Sequence, residues 1–508
     1  MDAITLQVMA SALRTVAEEM DAALVRAAYS PNITERRDCS TAIFDAEGRM
    51  VVQAASIPVH LGAMPEAVAA VRARGAKPGD IWLVNDPYRG GTHLPDLTMI
   101  SVLTLDGDPV GHAVTRAHHA DVGGMAPGSM PAGSRELVQE GIVIPPVRIV
   151  AAGREIEDIT AILLANTRTP SERAGDLRAQ RAAHGLAQRR LYEVAARHGT
   201  ATVREAFGEL LAYAERRTRA AIHAMPDGTY HWAEALEGDG VTDRDLWIRV
   251  AVTIAGDRMR VDFTGTDPAG PGNCNCPPAV TRSAVYFVIR AVTDPDIPAS
   301  AGAFAPVEVI APEGSLVNAR PPSAVAGGNV ETSSRIVDAV FGALGQAIDV
   351  PAQGQGTMNN LTLGGPGFTY YETLGGGQGA SARADGPSGV HVAMSNTLNT
   401  PIEALETAYP LRVEEYRLRY GSGGDGEQRG GDGVVRSVRA LIDMEASVIA
   451  ERRRSRPAGR AGGEDGAPGE TLLNGEPLPG KWIGPLRAGD VLTIATPGGG
   501  GYGPPAGA

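Results

Sequence analysis

Two short segments gather the side chains of this chain best suited to bind a cation or to move a proton. Asn85–Asp96 reads NDPYRGGTHLPD, and Arg116–Gly124 reads RAHHADVGG. In the first, His93 and Asp96 stand three residues apart, with Pro95 between them and Gly90–Gly91 just before. Glycine lets the chain turn until both side chains converge, and the proline ring keeps them there. The second supplies His118, His119 and Asp121, again followed by a glycine pair. Imidazole with carboxylate is a donor set for Zn²⁺, Mn²⁺ or Fe²⁺, ions that polarise carbonyls and activate water. In extended chain His118 and His119 face opposite ways, so only one of them is a ligand. His118, acting with Asp121, is preferred, and His119 is the substitute. The competing reading is that both segments merely cap strands through hydrogen bonds.

Other polar groups are more ambiguous. Asp86 and Tyr88 share the His93 loop, Asp86 either as a turn initiator before Pro87 or as support for the site. In SPNITERRDCS, residues 30–40, Glu35 is the candidate proton carrier. His60 sits among apolar neighbours in PVHLGAM and reads as a satisfied core histidine. The glycine-rich stretches AGGNVETSSR (326–335), YETLGGGQGA (371–380) and SGVHVAMSNTLNTPIEALE (388–406) bring Asn329, Glu331, Arg335 and His391 forward as substrate-binding candidates. NCNC at 273–276 is half a soft-metal site with no second pair, so buried free thiols are expected. GSGGDG at 421–426 matches G-x-G-x-x-G but no helix follows, and no phosphate-loop motif occurs. Nucleotide binding by this chain is therefore not expected.

The elements that must position these residues can be read from periodicity. Leu6, Met9, Leu13, Val16, Met20 and Leu24 mark an amphipathic helix over 4–28. STAIFDAEGRMVVQAA predicts a hairpin turning at Asp45–Gly48, and the two His segments lie at the ends of strands joined by a turn at Asp106–Asp108. Thr169, Pro170 and Gly199 bracket one long helix and a second follows at once, a helical hairpin. The fold expected is α+β and multi-lobed, with a β-rich region over 1–150, the hairpin over 151–226, a second glycine-rich α+β lobe over 227–440 and a β/coil segment over 441–508. A mobile loop is expected near 453–472.

Length and composition set the outer limits. With 508 residues, one core is too few. A net charge of -13 argues against a nucleic-acid partner, and no apolar window is long enough to span a membrane. Three cysteines make no disulfide framework, and the N-terminal segment is not a signal peptide, so a cytoplasmic protein is expected. The 64 glycines and 36 prolines imply many tight turns and close backbone approaches.

The segments SPNITERRDCS, IPVHLGAM, NDPYRGGTHLPD, RAHHADVGGMAPGSMP, QEGIVIPPVRI, RTPSERAGDLRAQRAA, GGNVETSSR, ETLGGGQGA and NTPIEALE together resemble the hydantoinase B / 5-oxoprolinase family, in the same order. The resemblance runs from residue 30 to about 440. It implies the metal-holding subunit of a hetero-oligomer that opens hydantoin, 5-oxoproline or lactam rings. A separate hydantoinase A-like ATPase subunit would bind the ATP and activate the ring carbonyl. Zn or Mn would sit on His93, Asp96 and one of His118 and His119, with Glu35 or Asp121 handling the proton. A ketone carboxylase subunit and a non-catalytic scaffold are the alternative readings.

Overall fold

The first sheet is built from β1 (Cys39–Asp45), β2 (Met50–Gln53), β3 (Ile81–Val84), β4 (Asp96–Leu105), β5 (Asp108–His118), β6 (Val147–Ala151) and β7 (Arg154–Glu155), in the order β2-β1-β5-β4-β3-β6-β7. In this computed structural model, which describes residues 1–54 and 57–505, the central strands are buried on both faces. That is why their sequences run nearly continuously apolar instead of alternating. One face carries the helix Ala3–Ala27, which lays Met9, Leu13, Met20 and Leu24 against the long helices Pro170–His198 and Thr200–His223. The other face is covered by the helix Met64–Ala73 through Val68 and Val71. The two long helices meet at Gly199 alone, whose φ of 87° suits a residue without a side chain.

The turn between β4 and β5 fixes the register that matters. Asp106 and Gly107 both have positive φ, 54° and 88°, the twist that matches a tight hairpin. Ten residues back along β4 and eleven on along β5, Asp96 is paired directly with His118, because a bulge between Leu103 and Thr104 shifts the register by one residue; without it Ala117 would stand opposite Asp96.

A second sheet, Gly228–Leu236, Leu246–Ala255, Arg258–Asp262 and Val307–Ile310, packs under the helices Pro278–Val292 and Ser333–Leu344. Two further sheets share the core of Leu363, Tyr370, Val438, Val448 and Ile494. In one, Asn360–Gly365 pairs with Met444–Ile449; in the other, Gly433–Ala440 pairs with Val491–Ala495. Strands from both sides of residue 441 thus lie in the same sheets.

The expected mobile loop at 453–472 is instead tied down. Glu237 accepts hydrogen bonds from the backbone of Arg453 (2.8 Å), Arg454 and Ser455, and Ala467 N donates to Ser422 O at 2.7 Å. Its glycines, which suggested a linker, let neighbouring backbones touch it. The three cysteines are free and buried, as expected. Among the described residues no helix is long and apolar enough to cross a membrane.

Candidate metal centre

Three neighbouring strand ends build the site. β4 begins with Asp96, β5 ends with His118, and Asp38 precedes β1, its carbonyl accepting from His118 N at 3.0 Å. The loop before β4 folds back through Gly90, whose φ is 101° and where a Cβ would press on the Ala67 backbone at 2.5 Å. Its shape is held by Asn85, which donates to Leu94 O at 2.7 Å, and by Arg116, which donates to Gly90 O at 2.9 Å. That fold returns His93 to Asp96.

His93 Nε2 lies 3.0 Å from Asp96 Oδ1, His118 Nδ1 lies 3.3 Å from the same oxygen, and the two nitrogens are 3.2 Å apart. Ligand atoms around an ion bound at about 2.0–2.2 Å stand roughly 3.0–3.5 Å from one another, so the triangle has the size of one face of a coordination shell. His93, Asp96 and His118 therefore fit a divalent cation. The second Asp96 oxygen accepts from Thr92 Oγ1 at 2.5 Å and faces His60 Nε2 at 3.5 Å, while His60 Nδ1 meets Ser40 Oγ at 2.8 Å. Burial alone would push the Asp96 carboxyl up; the surrounding His93, His118 and His60 outweigh it and hold Asp96 well below the usual carboxylate range. Burial pushes His118 down, so a neutral imidazole faces an ionised carboxylate, the protonation state a cation needs.

A second layer locks His118. Asn32 Nδ2 donates to its carbonyl at 2.6 Å, and the Tyr371 ring stacks on the imidazole at 4.5 Å. Tyr371 is held in turn: its hydroxyl donates to Asn360 Oδ1 at 2.8 Å, and Arg36 lies over its ring and donates to its carbonyl at 2.9 Å. The cluster faces a narrow cavity of about 20 Å³, room for about one water, whose wall is apolar at Ile57, Val59, Met358 and Met394 and polar at Asp38, Asn329 and Thr397.

The structure separates several residues that the sequence had grouped. His119 turns toward the helix Pro170–His198, where its Nε2 meets Gln180 Oε1 at 3.0 Å. Gln180 spends its amide nitrogen on Leu97 O, so its oxygen accepts and His119 donates. Burial, with Arg173 close by, pushes His119 down to about 4. It is outside the cluster. Asp121 does not join His118: it accepts from Arg168 Nη1 and Arg168 N, each at 2.9 Å, and from Gly123 N and Gly128 N, which braces a loop. Glu35 is exposed, because the short helix Pro31–Thr34 turns it outward; Arg36 and Asp38 from the same charged run are buried instead.

Of the four substrate-binding candidates, Asn329 lines the cavity. Glu331 points away, accepting from Asn360 Nδ2 at 2.8 Å and Met358 N at 3.1 Å, and burial together with Glu451 pushes it up to about 7. Arg335 pairs with Asp338 at 2.6 Å. His391 stands behind the wall, with Nδ1 2.6 Å from Ser395 Oγ, and burial pushes it down to about 3. Asp86 caps its own turn by accepting from Tyr88 N, and Tyr88 donates to Ser323 O at 2.7 Å.

Sequence reasoning missed Asp38, His60, Tyr371 and Asn360. His60 carried a signal in the proline before it and the glycine after, which bend the chain toward the sheet end. Tyr371 and Asn360 carried none, because their roles exist only across a strand pair.

The whole chain can now be set beside known proteins. It matches the Hydantoinase B/oxoprolinase family over residues 2–505. The chain belongs to that family. An uncharacterized protein of Methanocaldococcus jannaschii is 40% identical, with 99% of this chain and 91% of that protein covered. The 5-oxoprolinase of Dictyostelium discoideum is 36% identical across 99% of this chain, which spans only 40% of that longer protein. Among solved structures, the ATP-dependent caprolactamase from Pseudomonas jessenii superposes with a TM-score of 0.92 at 30% identity, covering 99% of this chain and 91% of that one. Acetone carboxylase in its nucleotide-free form gives a TM-score of 0.90 at 20% identity, covering 99% of this chain and 76% of that one, and shares the fold.

Proposed function

We propose that this chain is the metal-holding subunit of an ATP-dependent hydrolase that opens cyclic amides, working in a cytoplasmic hetero-oligomer with a separate hydantoinase A-like ATPase subunit. The observation that carries the reading is the enclosed triangle of His93, Asp96 and His118 at the wall of a small, half-apolar cavity. The kinship with 5-oxoprolinases and with an ATP-dependent caprolactamase supports the choice of substrate class. Likeness to acetone carboxylase rests on the fold alone, so the ketone carboxylase reading has no residue to favour it.

The chemistry follows from the groups in place. An unstrained cyclic amide is a poor electrophile; phosphorylation of its oxygen by the partner removes the resonance that protects the carbonyl carbon, so that water adds there. The ring C–N bond breaks as a proton is delivered to nitrogen, and the acyl phosphate that remains is hydrolysed to carboxylate and phosphate. His93, Asp96 and His118 would hold Zn or Mn. Such an ion supplies Lewis acidity, polarising the ring carbon and lowering the pKa of a water. Ile57, Val59, Met358 and Met394 make the wall beside the cluster apolar and exclude bulk water from it. Asp38, the other carboxylate of the cavity wall, is in place to take the proton released when water attacks, the role first assigned to Glu35 or Asp121.

The test is reconstitution. With an ATPase partner of the hydantoinase A type, the metal-loaded chain is expected to cleave ATP in step with ring opening of 5-oxoproline, hydantoin or caprolactam. His93→Ala is expected to lose the metal and at least about 10³ in turnover. Full activity of His93→Ala would make the chain a scaffold, and bicarbonate-dependent turnover of a ketone would make it a carboxylase.

A further inference from the structure

The turn that carries His60 has two faces. Val59 and His60 line the narrow cavity at the His93–Asp96–His118 cluster, Pro58 and Leu61 line a separate chamber of about 320 Å³, and Ile57 belongs to both walls. The cavity admits about one water, whereas the chamber has the size of a small-molecule site, for which about 300 Å³ is the lower end. Gly62 seats the turn on the helix Pro278–Val292. Its N donates to Ser283 Oγ at 2.8 Å, and a Cβ there would press on the Ser283 backbone at 2.6 Å. The same helix supplies Phe287, Arg290 and Ala291 to the chamber wall. Ala291 and Pro295 are exposed, so the chamber reaches solvent on that side.

Arg290 is the one charged side chain among the described residues of this wall. It is half-buried, and its Nη1 donates to Ile297 O at 2.8 Å, which uses one of five N–H donors. Asp294, four residues on, is paired with Arg217 instead. Burial pushes the Arg290 guanidinium down, with no acid close enough to offset it. A cation drawn partly out of water without a counter-ion is costly. Closing the last turn of its helix explains the bond to Ile297, and it leaves unexplained a guanidinium in the wall of a chamber otherwise uncharged.

Resting on the function proposed above, we infer that this chamber binds the ring-opened product, with Arg290 taking its carboxylate and Pro58, Leu61, Phe287 and Pro295 packing its methylenes. Opening any cyclic amide creates a carboxylate in place of the ring carbonyl, and a guanidinium fork matches that group with two parallel hydrogen bonds. A neutral lactam offers Arg290 only a carbonyl oxygen. The chamber is therefore selective for the acid over the ring it came from. Its place fits the role, because only Ile57 and the turn behind it stand between the chamber and the cluster, and its other side is open to solvent.

The experiment measures binding to the full-length metal-loaded chain by ligand-observed NMR, with no turnover required. Six-carbon probes are used because caprolactam has no carboxylate of its own. 6-Aminohexanoate is expected to bind at least about 10-fold more tightly than 6-aminohexanamide or caprolactam, the difference a charged hydrogen bond makes. Arg290→Gln and Arg290→Leu are expected to erase that preference with metal content unchanged. Ala291→Phe, at the exposed rim, is expected to block binding and tests the chamber should the arginine variants fail to fold. Removing the metal with a chelator is expected to leave the preference intact. Equal binding of acid and amide, caprolactam binding as tightly as the acid, or no binding of the acid would each overturn the inference. So would a preference that survives in the arginine variants or in Ala291→Phe, or one that disappears with the metal, which would put the carboxylate on the ion. A complex that shows the preference but opens no ring with ATP would remove the parent reading and leave this site standing.

Discussion

Two regions of this protein are rich in glycine, and they use it for opposite ends. In the loop before β4, a glycine pair lets a few backbone bonds turn sharply so that imidazole and carboxylate side chains meet. In the second region, segments 375–380, 422–431, 458–466 and 497–503 lie side by side, and the backbone itself is the packing surface. Gly377 N donates to Pro497 O, Gly431 N to Gln378 O, Gly499 N to Gly431 O and Gly500 N to Gln353 O, all at 2.8–3.0 Å. A Cβ on Gly377, Gly430 or Gly499 would overlap a neighbouring carbonyl oxygen. The glycines near His93 bring side chains together for chemistry. Those of the C-terminal lattice exclude side chains so that buried backbone groups can satisfy one another. A glycine count alone does not distinguish the two uses.

The sharpest way to separate chemistry from scaffolding is at the adjacent histidines. His118→Asn is expected to lose bound metal and about 10³ or more in turnover, whereas His119→Asn keeps its metal and loses about 1–3 kcal/mol of stability from the bond to Gln180. Metal analysis and melting of the two variants check this, and metal loss from both would erase the contrast. Next in size is the lattice. Gly377→Ala is expected to cost about 3 kcal/mol or more, or to yield no soluble chain, because backbone must shift to admit the methyl group. Gly107→Ala, at positive φ but with open space around it, is expected to cost about 1 kcal/mol. Similar melting temperatures for the two would show that the lattice is looser than described.

The smallest effect is a pH slope. Glu331 is held up at about 7, while in the unfolded chain it ionises near 4.5. Between those values the unfolded state releases a proton that the folded state keeps, so stability falls as pH rises across the window, by up to about 3 kcal/mol. Glu331→Gln is expected to raise stability at pH 7.5 relative to pH 5, compared with the wild type, in denaturant titrations. Glu140, likewise buried and pushed up to about 7, contributes with the same sign, and the buried His119, His184 and His391, pushed down, contribute with the opposite one. An unchanged slope in the variant would place the proton elsewhere.

Much of the fold was legible because local signals agreed. Apolar spacing marked the helix Ala3–Ala27, turn residues marked both hairpins of the first sheet, and Thr169, Pro170 and Gly199 marked the ends of a long helix. The 453–472 segment misled, since glycine and proline that signal flexibility in isolation signal close packing when other backbones cover them. Within the site, His93 and Asp96 could be paired because they share a turn. Asp38 could not be told from Glu35, three residues earlier in the same charged run, because a short helix decides which of them faces inward.

The sequence by itself determined the donor types, the loop that brings His93 to Asp96, and, through the β4–β5 turn, that a histidine from RAHHAD would lie near them. Alternation along a strand also required His118 and His119 to part company. Only the tertiary structure decided which of the two faces Asp96, that Asp121 braces Arg168, and that Tyr371, held by Asn360, and Asn329 close the cavity from more than two hundred residues away. Those contacts depend on strand register and on the packing of one lobe against another, and a pattern read along the chain carries neither.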